Sequence, residues 1–236
     1  MIRSIVIFTL LFSVSLKAQH QKDSIQKSNQ LEFSAGYTFG VLKNLAFAPV
    51  IRYDYNAVNY QFRYTRITKR NKLFEVQLNY VDSNLETTII PEPNPQYSKI
   101  SLNFSSLKRV LNQTKLSIHL GLQTQTAVAS YQNWKLYDFH QKLGVASRFT
   151  YKINTKHSLS SKITLPFLLW RTSSFEESFY SLGTYQSILW NTEYSYQLSE
   201  RFDIKANYSF NYDRIQIPSA YRELQYQINL GINFKF

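Results

Sequence analysis

From Tyr226 to Phe236 the chain alternates apolar and polar residues without a break. Tyr226, Ile228, Leu230, Ile232, Phe234 and Phe236 fall on one face of an extended strand, and Gln227, Asn229, Gly231, Asn233 and Lys235 on the other, because successive side chains of a strand point oppositely. A helix would need its apolar residues three to four apart. The segment therefore predicts a strand that closes a sheet with one apolar and one polar face.

The amino end reads as an export signal. Arg3 supplies the positive start, Ser4 to Leu16 an apolar stretch, and Lys17-Ala18-Gln19 a short polar exit with cleavage near Ala18 or Gln19. That stretch is well short of the roughly 20 residues of a membrane-spanning helix. Residues 1–19 are thus expected to be a cleaved signal peptide, 20–30 a polar periplasmic leader and 31–236 a single barrel domain. With no cysteine in the sequence, disulfides, thiolate metal sites and a lipid-modified amino-terminal cysteine are excluded. Aromatic residues make up 16 % of the chain, with only 6 Gly and 6 Pro, a strand-rich composition.

Period-two segments recur at 31–39, 46–55, 57–68, 72–82, 97–106, 115–127, 138–153, 158–169, 184–198, 202–213 and 224–236. Short connections at 69–71, 107–114, 154–156 and 199–201 alternate with long ones at 83–96, 127–137, 170–183 and 214–223. Short turns at one end and long loops at the other predict an all-β, antiparallel up-and-down transmembrane β-barrel. An odd number of segments cannot close such a barrel, so either 46–68 is one long bulged strand or 31–39 lies outside the wall. Both give about ten strands. Twelve stays open if 83–96 hides another, against which Pro91, Pro93 and Pro95 argue.

Three features turn the apolar face toward lipid. The opposite faces are too polar for a greasy core, as in Asp203, Lys205, Asn207, Ser209 and Asn211. The apolar face turns aromatic near one end of the strands at Tyr64, Phe104, Phe149, Tyr151, Tyr194, Tyr196, Phe234 and Phe236, and near the other at Tyr80, Phe167, Tyr208, Phe210 and Tyr212. Two girdles at the membrane interfaces are expected from that sorting. Thirdly, the basic excess, a formal net charge of +12, gathers at the short turns, around Arg66, Lys69, Arg70, Lys72, Lys108, Arg109, Lys115, Lys152 and Lys156. Charge placed there suits lipid headgroups or simply solvated turns and calls for no nucleic acid.

The signal at 1–19, the alternation over 31–236 and the terminal pattern from Tyr226 to Phe236 together resemble outer-membrane β-barrel proteins of Gram-negative bacteria. The resemblance implies outer-membrane residence, lipopolysaccharide and phospholipid as surroundings, and periplasmic chaperones and the barrel-assembly machinery as partners. Tyr226, Ile228, Leu230, Ile232, Phe234 and Phe236 are similar to the signal that machinery reads.

Some barrels of this size are enzymes. Phospholipase and lipid A deacylase barrels resemble one another in a His-x-Ser pair, but the residues two beyond His20, His119, His140 and His157 are Lys22, Gly121, Lys142 and Leu159. His157 and Ser158 are adjacent and so face opposite ways. Outer-membrane aspartyl-type proteases pair two Asp residues with an Asp-His couple. Asp138-Phe139-His140 supplies the couple, and the Asp-Asp or Asp-x-Asp partner is missing. His119 has no second ligand at strand spacing, so no metal, cofactor or catalytic residue is assigned.

Polar-face parity instead predicts a lumen lined by Glu32, Arg63, Glu75, Lys99, Lys142, Arg148, Lys162, Glu193, Asp203 and Lys205. In a narrow barrel these either pair across the interior and fill it or mark a small-solute path favouring anions. The expected function is that of a non-enzymatic integral barrel, structural and surface-interacting or a narrow channel, with Tyr131, Trp134, Phe175, Phe179, Tyr180 and Tyr221 as loop contact residues. The alternatives are a lipid-modifying outer-membrane enzyme and a soluble periplasmic ligand-binding barrel.

Overall fold

The computed structural model describes residues 28–45, 52–88, 95–132, 135–174, 177–216 and 220–236. The predicted signal peptide, most of the polar leader, residues 46–51 of a predicted strand, and Trp134 and Phe175 lie outside them. The strands are β1 (Ser28–Asn44), β2 (Tyr53–Ile67), β3 (Lys72–Asn84), β4 (Gln96–Asn112), β5 (Leu116–Tyr131), β6 (Leu136–Lys152), β7 (His157–Ser173), β8 (Glu177–Ser181), β9 (Tyr185–Gln197), β10 (Phe202–Ile215) and β11 (Tyr221–Lys235).

Every wall strand pairs antiparallel with its sequence neighbours, and β1 also pairs β11 from Gln30↔Lys235 to Asn44↔Tyr221. The sheet thereby closes into a ten-strand barrel, with β8 as an eleventh strand added to the upper part of β7. Residues 31–39 belong to the wall, which overturns the reading that set them outside it. In the region 46–68 the wall has one strand, β2 from Tyr53 to Ile67, whose pairings run without a register shift instead of as the expected long bulged strand.

Two-fold alternation is carried through the wall. Along β2 the residues from Tyr53 to Arg63 alternate strictly between buried and exposed. The outer face exposes Phe33, Val58, Leu122, Val145, Leu165 and Ile228 at half or more of their surface, while Ser34, Thr38, Asn59, Gln61, Gln225 and Asn229 are buried inside. That polarity is inverted relative to a soluble protein, as a lipid solvent requires.

Turn chemistry is legible at the short end. Asn71 takes a left-handed φ of 56°, a region Asn tolerates. The Asn154 side chain accepts from the Lys156 and His157 amides at 2.9 and 2.8 Å.

Connections at the other end are shorter than the sequence suggests. β5 runs to Tyr131 and β6 starts at Leu136, so the expected long loop at 127–137 shrinks to four residues, 132–135. β7 and β11 likewise extend into the supposed loops at 170–183 and 214–223, and the former also carries β8. The apolar and polar alternation is lost there because inward positions are charged or aromatic, and the strands nevertheless continue. Of the expected loop aromatics that lie among the described residues, Tyr131, Tyr180 and Tyr221 are buried at 1 %, 5 % and 3 % exposure, and Phe179 stands out, at 79 %.

Close strand approach is tightest at Gly36. A Cβ there would lie 1.9 Å from the Ile228 carbonyl oxygen across the closing seam, whereas one on Gly183 would meet nothing within 4 Å. Gly36→Ala should therefore destabilise the folded barrel by about 1–3 kcal/mol, and Gly183→Ala should stay within about 0.5 kcal/mol of wild type. Denaturant unfolding in detergent micelles, followed by the loss of the compact, heat-sensitive gel band, measures both.

Candidate functional site

The interior is where the chain concentrates its ionisable groups. In the half near the short turns, seven strands each send one charged side chain inward. Glu32 accepts from Arg63 at 3.3 Å, from Lys205 at 3.0 Å and from Asn207 at 2.8 Å. Glu193 pairs with the same Arg63 and with Lys205 at 3.0 Å, and lies 3.7 Å from Arg148. Glu75 pairs with Arg148 at 2.8 Å and with Lys162. The partners are far apart in sequence and meet only because the barrel is narrow enough for side chains to reach across it. At the rim Asp203 accepts from Lys235 at 2.7 Å and Asn233 at 3.0 Å.

The opposite half carries a second layer. Lys99 pairs with Glu223 at 2.5 Å, and Glu223 also accepts from the hydroxyls of Tyr55, Tyr97 and Tyr221 at 2.9, 3.0 and 2.9 Å. Lys142 pairs with Asp213 at 2.6 Å, which takes a further bond from Tyr185 at 3.0 Å. Arg171 grips Asp138 through two nitrogens, at 2.9 and 2.7 Å, and lies 4.8 Å over the Tyr221 ring. The tyrosine rings pack in series, Tyr55 to Tyr97 at 5.1 Å and Tyr97 to Tyr131 at 5.4 Å. Leu42, Leu85, Leu169 and Ile215 complete this buried cluster. Tyr55, Tyr97, Tyr185 and Tyr221 fill space with their rings and meet a carboxylate's hydrogen-bonding demand with their hydroxyls.

Between the layers lies a chamber lined by side-chain amides such as Gln77, Asn79, Asn103, Gln123 and Gln125. Its volume is about 30 Å³, space for on the order of two waters.

All ten residues assigned to the lumen from sequence parity engage in ion pairs in the barrel. Sequence reasoning missed Asp213, Arg171 and Glu223 as lumen groups. Asp213 and Glu223 share parity with Asp203 and Gln225, a signal contained in the alternation itself. Arg171 had none, because the alternation along β7 changes phase at the bulge that faces Leu143 and Gly144. Phe167, expected on the outer face, falls at that bulge and has no partner opposite it in β6.

Of the candidate pairs, Asp138 and His140 come together on the inner face, whereas His157 and Ser158 do not. Asp138 is occupied by Arg171 and Asn44, and His140, 3.1 Å from Asp138, packs edge-on against Tyr221 at 5.0 Å. His157 points away from Ser158 and contacts the Tyr194 hydroxyl at 2.5 Å. Among the described residues no group of three or more His, Cys, Asp or Glu is placed to hold a metal.

Breaking the network should be costly. Arg63→Ala leaves two buried carboxylates short of a partner, and a loss of about 3–5 kcal/mol is expected. Arg52→Ala, at an ion pair with 62 % and 54 % of the side chains exposed, should cost no more than about 1 kcal/mol. Parallel denaturant titrations of the two variants test the difference.

No protein-family model and no curated protein sequence matches the chain. Among solved structures it is similar to the outer membrane protease OmpT from Escherichia coli, at 9 % identity over 92 % of this chain and 99 % of that one, with a TM-score of 0.63. It is also similar to an outer membrane channel from Pseudomonas putida F1, at 6 % identity over 93 % and 98 % of the two chains, with a TM-score of 0.51. At such identities the likeness is one of fold. The closed wall, the apolar exterior and the polar interior together give the chain the fold of a transmembrane β-barrel, like the bacterial outer-membrane barrels it is similar to.

Proposed function

We propose that this protein is a sealed outer-membrane barrel that serves as a structural or surface-interaction protein and neither conducts solutes nor catalyses a reaction. The observation that carries the reading is the pair of layers across the lumen. Three glutamates knit to four cations span one half, and the tyrosine and carboxylate cluster spans the other. A water-filled pore needs hydrated wall charges, whereas here Glu32, Arg63, Glu75 and Glu223 are all 2 % exposed or less. In favour of a non-catalytic role, the acid and imidazole groups named above are engaged with arginine, asparagine or tyrosine.

On this reading the aromatic residues near the two strand ends anchor the barrel at its interfaces. Outer-leaflet lipopolysaccharide and inner-leaflet phospholipid surround it, and Tyr226 to Phe236 address it to chaperones and assembly machinery. Interaction with other molecules falls to the long-loop end, where Phe179 stacks on Trp170 at 6.0 Å and projects from β8.

Planar-bilayer recording tests the sealed lumen. The wild-type protein should give no conductance steps above background, and a variant lacking both layers (Arg63→Ala, Glu193→Ala, Tyr97→Ala, Tyr131→Ala) should give steps if it folds. Reproducible steps from the wild type overturn the reading.

A further inference from the structure

Four neighbouring strands place a basic side chain at matching register on the inner face near the short turns. Arg109 stands opposite His119, His119 opposite Arg148, and Arg148 opposite Lys162. A cation turned toward the barrel interior is unfavourable unless something negative lies beside it. Glu75 meets that need for Arg148 and Lys162. Nothing meets it at the other end of the row. Among the described residues no carboxylate pairs with Arg109, and its Nε is buried without a hydrogen-bond partner. The neighbouring imidazole is 7 % exposed, and its Nδ1 is likewise buried and without a partner. Both guanidinium groups act electrostatically on that imidazole.

The local backbone is built around this pair. A register shift between Arg109 and Leu111 marks a bulge in β4, a device that re-aims a side chain. The Arg109 amide is held by the Asn71 carbonyl of the adjacent turn at 3.1 Å. Arg109 is only half-buried, so the pair is reached from the short-turn mouth, the periplasmic side in barrels of this class.

We propose that Arg109 and His119, backed by Arg148, form an oxyanion site in the periplasmic mouth of the barrel. It takes a phosphate-type group, from either a soluble phosphate or a phospholipid headgroup. A guanidinium fork and an imidazole N–H supply charge-assisted donors to such oxygens. Arg109 and His119 sit at the short-turn edge of the ion-pair layer, which Arg148 joins through Glu75.

The test uses the full mature chain, labelled with ¹⁵N-histidine, in micelles of a phosphate-free maltoside detergent. The His119 imidazole signals are assigned by their loss in His119→Gln. One arm titrates inorganic phosphate into these micelles at constant ionic strength. The other adds phosphatidylglycerol to the micelles and no inorganic phosphate. A saturable shift of the His119 signals in the first arm identifies a soluble oxyanion, and a shift confined to the second identifies a headgroup. In the responding arm Arg109→Gln should weaken the apparent affinity at least about tenfold, with Arg109→Lys in between and serving in its place if the glutamine variant does not fold. No shift in either arm, or an affinity unchanged by both Arg109 variants, overturns the proposal.

Discussion

Everything in this protein hangs on the hydrogen-bonded seam between its first and last strands. In a bilayer no water is at hand to satisfy a free strand edge, and each unpaired backbone group there costs several kcal/mol. Pairing β1 with β11 along their whole length removes the edge, and the last amide closes on Asn29 at 2.9 Å. Gly36 and Gly231 line this seam because a larger residue at either would collide with the opposing strand. Once the sheet is closed it has only an outside, which must suit lipid, and an inside, which takes every charge the strands carry.

The small strand number then decides what the inside becomes. Ten strands bring opposite walls within reach of Arg, Lys and Glu side chains, so ions that would line a wider channel meet one another instead. Desolvation makes each of them expensive alone, and the solution adopted is sharing: Glu32, Glu75 and Glu193 each serve at least two cations. Toward the other end the solution changes to tyrosines, whose rings exclude water while their hydroxyls satisfy Glu223 and Asp213. Tyr55 lies over Gly40, where a Cβ would be 2.0 Å from the ring, so the missing side chain on β1 is what lets that ring lie flat against the wall.

Much of this is legible in the sequence, and the gaps have physical causes. Alternation identifies the wall strands and the inward set, from Glu32 to Lys205, because a strand's two faces are read directly from parity. It fails at the upper strand ends, where Tyr131, Arg171 and Tyr221 look like loop residues because neither face there is uniformly apolar. It fails again at β7, where one bulge exchanges the faces and moves Arg171 inward. The site around His119 is illegible for a different reason: its neighbours Arg109 and Arg148 are near only through cross-strand register, which no sequence spacing encodes.

By itself the sequence determined the architecture of the protein: all-β, closed by its carboxyl-terminal strand, with an apolar exterior and charges turned inward. These follow from a period of two and from composition, both local properties of the chain. Tertiary structure alone decided which charge meets which, that the lumen is layered with ion pairs and tyrosines, and that Arg109 and His119 face each other with no acid paired to them among the described residues. Those are distances across a barrel, set by strand number and register, and they exist only once the sheet has closed.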